Sequence, residues 1–148
     1  MISADTNVFI YAMDPRDSGK HAVAKSVVAA MERVQAVVGL QVVGELQNVL
    51  RRRLRTPPRT AYQFAQELLL QFPAFSYDER AVEAALGEAI AGRLSYWDAL
   101  LVSAADAVGV RTMLSEDMAD GFAYRGLHVV NPFGPDGPSA RVRSLLAL

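Results

Sequence analysis

The chain has 148 residues, 51% of them hydrophobic, with a formal net charge of −1 and an isoelectric point near 6.1. This length and composition predict a single ordered domain, and the charge argues against a uniformly basic nucleic-acid binder. The sequence contains no cysteine, which excludes disulfide frameworks, thiolate zinc sites and cysteine nucleophiles.

Helices and strands alternate along the chain. In order, the hydrophobic pattern and turn residues predict strand 1–4, helix 6–13, helix 21–35, strand 36–38, helix 42–53, helix 59–71, strand 72–76, helix 79–91, helix 97–108, strand 111–114 and strand 127–130. We expect a turn at Ser18-Gly19, and a linker at 134–138 before a short terminal helix. Such alternation predicts a three-layer α/β/α fold with a mostly parallel sheet. We assign residues 1–133 to this domain and 134–148 to its linker and terminal helix.

An acid, an alcohol and an amide follow the first predicted strand directly, as Asp5, Thr6 and Asn7. Ligands of open α/β sheets bind beyond the carboxyl ends of the strands, so this position favours a functional site. Asp5 could instead serve only as the N-cap of the helix that follows it.

Two further acids lie on predicted helices. The valines three residues before and four residues after Glu45 share its helical face, so we expect its carboxylate to point inward. A buried charge needs a partner or a metal, whereas an edge position would let Glu45 reach water. Asp98 shares a face with apolar residues, yet it also follows Ser95 in a Ser-x-x-acid helix start. For Asp98 both roles remain open.

A fourth acid, Asp117, follows a predicted strand in the same way as Asp5. A solvated turn residue is the alternative interpretation, and the neighbouring Glu116 is a competing candidate. Asn7 and Ser115 are short polar residues close to two of the acids, and they suit hydrogen bonding that orients a carboxylate.

Together, these acids predict a site for a hard divalent cation. Carboxylate oxygens without thiolates or paired histidines are the ligands that Mg²⁺ or Mn²⁺ prefers. Four carboxylates close together would raise one another's pKa unless a cation compensated their charge. Such an ion lowers the pKa of water and stabilises a leaving oxygen, so we predict metal-assisted phosphoryl chemistry.

Other signals are weaker or exclude further classes. A basic run could contact a nucleic-acid backbone, although an arginine-rich helix end is also commonly just solvated. Its members are Arg51, Arg52, Arg53, Arg55 and Arg59. His21 and His128 lack metal-ligand spacing, and the sequence has no glycine-rich phosphate loop. We expect a cytoplasmic protein, because neither a signal-peptide pattern nor an apolar run of ~18 residues occurs.

Five short motifs follow one another in an order typical of a known family. They are Asp5-Thr6-Asn7, Glu45, Tyr96-Trp97-Asp98-Ala99, Leu114-Ser115-Glu116-Asp117-Met118 and Asn131-Pro132-Phe133. In order and approximate spacing, they resemble the PIN-domain family, and in particular the VapC-type toxin ribonucleases of toxin–antitoxin pairs. The resemblance spans essentially the whole chain.

This resemblance implies a fold, a ligand set and partners. It implies about five strands in the order 3-2-1-4-5, a homodimer, an RNA substrate, and a small antitoxin whose tail occupies the active-site groove in a heterotetramer or larger complex. The metal ligands it implies are Asp5, Glu45, Asp98 and Asp117, supported by Asn7 and Ser115. Gln41 departs from the family pattern, because many relatives carry Ser or Thr at this place.

The leading hypothesis is therefore a Mg²⁺- or Mn²⁺-dependent endoribonuclease that acts as the toxin of a type II toxin–antitoxin system. One alternative is a PIN-like module that has lost activity and only binds. Another is a phosphoacceptor signalling domain, which also gathers acids at the rim of a parallel sheet. Such domains usually carry a lysine near the end of a late strand, and no lysine follows Lys25.

Overall fold

The computed structural model describes residues 1–34 and 36–148. The helices in this part of the chain are α1 (Thr6–Met13), α2 (Ser18–Met31), α3 (Leu40–Arg52), α4 (Pro58–Gln71), α5 (Glu79–Ala91), α6 (Tyr96–Ala107) and α7 (Ala140–Leu146). The strands are β1 (Ile2–Ala4), β2 (Val38–Gly39), β3 (Ala74–Phe75), β4 (Thr112–Leu114), β5 (Ala123–Tyr124), β6 (Leu127–Val130), β7 (Phe133–Gly134) and β8 (Gly137–Pro138). The predicted α/β class with a mostly parallel sheet is confirmed.

The central sheet runs in the order β1-β4-β6-β5, with parallel pairing except at β5, which joins the edge of β6 antiparallel. β2 and β3 form a separate parallel pair, and one parallel bridge between Ile2 and Ala36 leads from β1 toward them. The pairs β1–β4, β4–β6 and β2–β3 occur in the implied order if β6 is counted as its fifth strand, whereas the complete order of the five strands stays a prediction. A continuous ladder from β2 to β1 stays a prediction, because a single bridge links the two pieces.

The central strands are covered on both faces. Met113 and Leu114 are consecutive residues of β4, and both are fully buried. Since successive side chains of a strand point to opposite faces of the sheet, this burial requires packed layers on both sides. Ala4 of β1 and Val129 of β6 are fully buried as well.

The ends of β1 and β4 set the position of the candidate site. Ala4 and Leu114 are register partners, and the backbone N–H of Asp5 donates to the carbonyl of Leu114 at 2.9 Å. The residues that follow these two strands, Asp5 and Ser115, therefore leave the sheet side by side. α1 begins immediately afterwards, because the carboxylate of Asp5 accepts from the N–H of Val8 and caps the helix.

The start of α2 differs from the sequence prediction. The predicted turn at Ser18-Gly19 is wrong, since the helix already begins at Ser18 rather than at His21. The Asp17 carboxylate accepts from the backbone N–H of Lys20 at 3.0 Å, which caps the helix three residues earlier than the apolar pattern indicated. α2 ends at Met31, so the predicted helix is too long at this end: residues 32–34 form a turn, and residue 35 lies outside the described residues.

The C-terminal segment packs more closely than a linker. Residues 134–138, predicted as a linker, contribute to the β7–β8 hairpin, in which Gly134 pairs with Gly137 across a two-residue turn. α7 then begins after Ser139, which caps it, and buries Val142 and Leu146 in the core. The short strand β5 was not predicted either. Of the helices in the described part of the chain, none has the length and apolar character needed to cross a membrane.

Candidate active site

All four predicted acids, Asp5, Glu45, Asp98 and Asp117, line one pocket of about 270 Å³. Two of them follow the carboxyl ends of β1 and β4, and the other two come from α3 and α6. The structure therefore brings together side chains that are up to 112 positions apart in the sequence. It does so at the edge of the sheet where α/β proteins commonly bind ligands.

Asp5 is the most deeply buried of these acids, with 7% of its surface exposed. Its Oδ2 accepts a short hydrogen bond from the Ser115 hydroxyl, and its Oδ1 accepts from the backbone N–H of Val8 at 3.4 Å. Burial, helped by the charges of Asp117 and Asp98, raises the pKa of Asp5 to about 7, although the two hydrogen bonds act to lower it. Without a cation, Asp5 is therefore partly protonated near neutral pH.

Glu45 lies on α3 with both carboxylate oxygens hydrogen-bonded. Thr6 Oγ1 donates to Oε2 at 2.7 Å, and Gln41 Nε2 donates to Oε1 at 3.0 Å. The buried side chains of Val42 and Leu46, which flank Glu45 on the helix, fix α3 against the core. The inward orientation predicted from the helical period therefore agrees with the structure, because Glu45 faces the pocket rather than water alone.

Asp98 lies in the first turn of α6, and the capping role belongs to Ser95. The backbone N–H of Asp98 donates to Ser95 Oγ at 3.2 Å, while the half-buried Asp98 side chain lines the pocket. Burial raises the pKa of Asp98, and the charges of Asp117 and Glu45 raise it further. The two roles that the sequence left open thus occur at the same residue: a first-turn position and a place in the pocket.

Asp117 is the most exposed acid of the four, and its Oδ2 accepts from the Asn7 amide. Its competitor Glu116 does not line the pocket, because its carboxylate pairs with the ammonium group of Lys20. Asn7 and Ser115 thus contact Asp117 and Asp5 directly, in the arrangement that orients a ligating carboxylate.

The chemistry of the pocket suits a hard divalent cation. Its candidate ligands are all oxygen atoms, and at least three of the carboxylates act electrostatically on their neighbours. Gln41 Oε1 is buried and accepts no hydrogen bond from the described residues, so it is one more oxygen that could face a cation. Within residues 1–34 and 36–148, however, no three acids or histidines converge closely enough to hold an ion as they stand. Hydrogen bonds hold Asp5, Glu45 and Asp117 to different neighbours.

Sequence reasoning did not identify every residue of the pocket. Thr6 contacts Glu45, and Asn48 also lines the pocket. Asn48 follows Glu45 by three residues on α3, so the helical period contained the signal. The contact of Thr6 depends on how α1 packs against α3, which no local pattern indicates.

The basic run divides into two groups. Arg53 lines the acidic pocket and also a neighbouring depression that Arg55 and Arg16 share. Arg51 and Arg52 are exposed and line neither of these two pockets. Of the arginines predicted to contact RNA, Arg53 therefore lines the acidic pocket, and Arg55 lies in the depression that Arg53 also lines.

A family model described as the PIN domain matches residues 2–119 of the chain. The match contains all four acids and covers most of the sequence. The chain belongs to the PIN-domain family. The resemblance to the PIN-domain family found in the sequence motifs is thereby confirmed. Among curated proteins, none matches this PIN domain.

Solved structures show the same fold at low sequence identity. VapC20 of Mycobacterium tuberculosis, described as a toxin that cleaves the sarcin–ricin loop, superimposes with a TM-score of 0.66 at 21% identity, over 79% of this chain and 90% of VapC20. A toxin–antitoxin complex from Klebsiella pneumoniae superimposes with a TM-score of 0.65 at 18% identity, over 90% of this chain and 98% of the matched chain of the complex. VapBC2 from Rickettsia felis, bound to a promoter DNA fragment, superimposes with a TM-score of 0.63 at 15% identity. The match covers 87% of this chain and 97% of the matched chain. These likenesses establish the fold of the PIN domain.

Proposed function

We propose that this PIN domain is a divalent-metal-dependent endoribonuclease that acts as the toxin of a type II toxin–antitoxin pair. The observation that carries the proposal is the pocket in which Asp5, Glu45, Asp98 and Asp117 lie together. The similarity to VapC20, described as a toxin that cleaves the sarcin–ricin loop, supports RNA as the substrate. The electrostatic coupling of the acids supports a cation as the cofactor, because a positive charge would relieve their mutual repulsion.

In this proposal, the four acids hold Mg²⁺ or Mn²⁺, and Asn7 and Ser115 orient two of the carboxylates. The bound cation would supply a Lewis acid that lowers the pKa of an attacking water and stabilises the leaving oxygen of the phosphodiester. Ser115 holds Asp5 by donating to Oδ2, and Asn7 holds Asp117 by donating to Oδ2 of that residue. The hydrogen bond from Ser115 lowers the pKa of Asp5 and so favours the ionised carboxylate that a cation requires, while the hydrogen bond from Asn7 fixes the orientation of Asp117.

Arginines give the RNA strand a path to the acids. A phosphate that approaches four carboxylates is repelled, so a cation of the protein must offset part of that charge. Arg53 is suited to this task, because it lines both the acidic pocket and the neighbouring depression that contains Arg55 and Arg16. Arg16 is already paired with Asp14, which leaves Arg53 and Arg55 as the proposed phosphate contacts.

The proposed assembly is a homodimer that binds a small antitoxin, in a heterotetramer or larger complex. Two of the similar structures are described as a toxin–antitoxin complex and as VapBC2 bound to a promoter fragment, which supports a protein partner of this kind. The antitoxin would act by placing its tail in the groove that contains the acids. The test is to inspect the adjacent open reading frame for a small protein, to co-express it with this chain, and to ask whether the two purify as one complex.

Cleavage of total RNA in the presence of Mn²⁺ tests the catalytic proposal. Wild-type protein is expected to cut RNA with Mn²⁺ and to lose this activity with EDTA. Asp5→Asn and Asp98→Asn should each abolish cleavage, because they remove a ligand charge. Glu83→Gln, a change at an exposed acid of α5 outside the pocket, should cleave like wild type. Equal cleavage by all four proteins would refute the assignment of the site.

A PIN-like module that binds without cleaving is the second candidate. It is favoured by the observation that, in the described residues, no three acids converge around one point. Calorimetric titration with Mn²⁺ and the RNA assay together separate the two candidates. Metal binding with cleavage supports the nuclease, whereas RNA binding without cleavage at any Mn²⁺ concentration supports the module.

A further inference from the structure

Trp97 is an exposed aromatic residue at the rim of the acidic pocket. It is the single tryptophan of the chain, and 59% of its surface is accessible to solvent. Its neighbour Asp98 lines the pocket, and their Cα atoms are about 3.8 Å apart across one peptide bond. A single exposed apolar side chain is common on protein surfaces, so the inference about Trp97 depends on its position beside Asp98 and Gln41, which both line the pocket.

The position of Trp97 is held firmly relative to the acids. Gln41 Nε2 donates to the Trp97 carbonyl at 3.0 Å and to Glu45 Oε1 at 3.0 Å, so one amide links the rim residue to a pocket acid. The ring of Tyr96 packs edge-on against the indole, with centroids 5.0 Å apart and planes at 72°. Tyr96 itself is partly buried against the core. The indole is therefore presented from a rigid helix start rather than from a mobile loop.

We propose that Trp97 is the platform on which an unpaired base of the RNA stacks while the adjoining backbone lies in the acidic pocket. This inference rests on the proposed ribonuclease function and adds a residue that selects the substrate. Aromatic side chains bind single-stranded nucleic acid by stacking on its bases, since every base offers a flat π surface. Bases inside a duplex are already stacked on their neighbours, so Trp97 selects nucleotides in loops, bulges or single strands.

The fluorescence of Trp97 reports on this contact directly. Because the chain has no other tryptophan, all indole emission comes from the proposed platform. A stacked base is expected to quench that emission. The measurement uses the Asp5→Asn variant, which should bind RNA without cutting it. A short labelled RNA of mixed sequence is added either as a single strand or as a perfect duplex, and its anisotropy measures binding in the same sample.

Substitutions test whether the ring contributes to binding. In the same background, Trp97→Ala is expected to raise the Kd for the single strand roughly 5- to 100-fold, which corresponds to the loss of one stacked base. Trp97→Phe should restore most of the affinity, because it keeps an aromatic face. Tyr62→Ala is the matched control, since Tyr62 is 61% exposed, is aromatic, and does not line the pocket. In otherwise wild-type protein, Trp97→Ala should raise KM more than it lowers kcat.

The outcomes separate this inference from the proposed function. Quenching by the single strand but not by the duplex, together with the loss of affinity in Trp97→Ala, supports the platform. RNA binding and cleavage without quenching, and with normal affinity in Trp97→Ala, overturn the platform and leave the ribonuclease standing. A change in oligomeric state of Trp97→Ala with unchanged RNA affinity assigns the ring to a protein interface and also overturns the platform. Absence of both RNA binding and cleavage overturns the two proposals together.

Discussion

Replacing Asp5 with asparagine should stabilise the metal-free protein, although the same change removes a proposed metal ligand. Burial and two neighbouring acids raise the pKa of Asp5 from 3.8 to about 7 in the folded protein. Between these values, the folded state binds a proton that the unfolded state has released. The contribution of Asp5 to stability is thus fully present below pH ~4 and is lost as the pH rises through about 7. At pH 8 the wild type must hold an ionised, poorly solvated carboxylate in the fold.

The size of the effect follows from the two pKa values. At 1.36 kcal/mol per pKa unit, the difference between 3.8 and about 7 corresponds to an upper limit of about 4 kcal/mol at pH 8. Part of this loss of stability has already occurred at pH 5, because the Asp5 carboxyl group is ionised in the unfolded chain at that pH but still protonated in the folded protein. We therefore expect the stability gain of Asp5→Asn over wild type to be about 2 kcal/mol larger at pH 8 than at pH 5. The altered hydrogen bond to Ser115 contributes equally at both pH values and cancels.

Urea unfolding in EDTA, followed by circular dichroism at pH 5 and pH 8, measures this difference. The wild type should lose stability between the two pH values relative to Asp5→Asn. Glu83→Gln serves as the control, because Glu83 is exposed on α5. The free energy of unfolding of this variant should change between pH 5 and pH 8 by the same amount as that of the wild type. An Asp5→Asn variant that differs from wild type by the same amount at both pH values would refute the buried, electrostatically raised carboxylate.

Three further predictions concern the surroundings of the acids. Ser115→Ala should weaken Mn²⁺ binding roughly 10- to 100-fold in calorimetry, since it removes the donor to Asp5; unchanged affinity would contradict that role. Arg53→Gln should weaken RNA binding and reduce the slope of log Kd against log salt concentration by about one. Arg51→Gln should change this slope little, and equal effects of the two substitutions would argue against an RNA contact at Arg53. Leu46→Ala should cost about 2–5 kcal/mol in urea unfolding, because it leaves a cavity beneath Glu45; a loss below 1 kcal/mol would contradict the packing of α3.

Much of the fold could be predicted from the sequence, because most helices and strands show a clear hydrophobic periodicity or end at clear turn and capping residues. The end of β1 and the end of β4 were predicted from apolar runs followed by polar residues, and parallel pairing then placed Asp5 beside Ser115. The α3 period placed Glu45 on the inward face. These local rules favoured a shared site for the acids, but they left two roles open for Asp98 and a solvated turn as the alternative for Asp117.

The remaining features depend on signals that are too short or too distant for such rules. Strands of two residues, as in the β7–β8 hairpin, have no period, so residues 134–138 were predicted as a linker. The early start of α2 was missed for another reason. Gly19 suggested a turn, but the Asp17 side chain caps the helix and stabilises a first turn that includes this glycine. The hydrogen bond from Thr6 to Glu45 requires the packing of α1 against α3, which is a tertiary property.

The role of the four acids as one cation site is tested most directly by calorimetric titration of the purified protein with Mn²⁺ near pH 7.5. We predict saturable binding to wild type and a loss of most of the binding heat in Asp5→Asn, Glu45→Gln, Asp98→Asn and Asp117→Asn, each assayed separately. The exposed-acid variant Glu83→Gln should bind as wild type does. Mn²⁺ binding that is unchanged in all four single variants would contradict a shared site built from side chains so distant in the sequence.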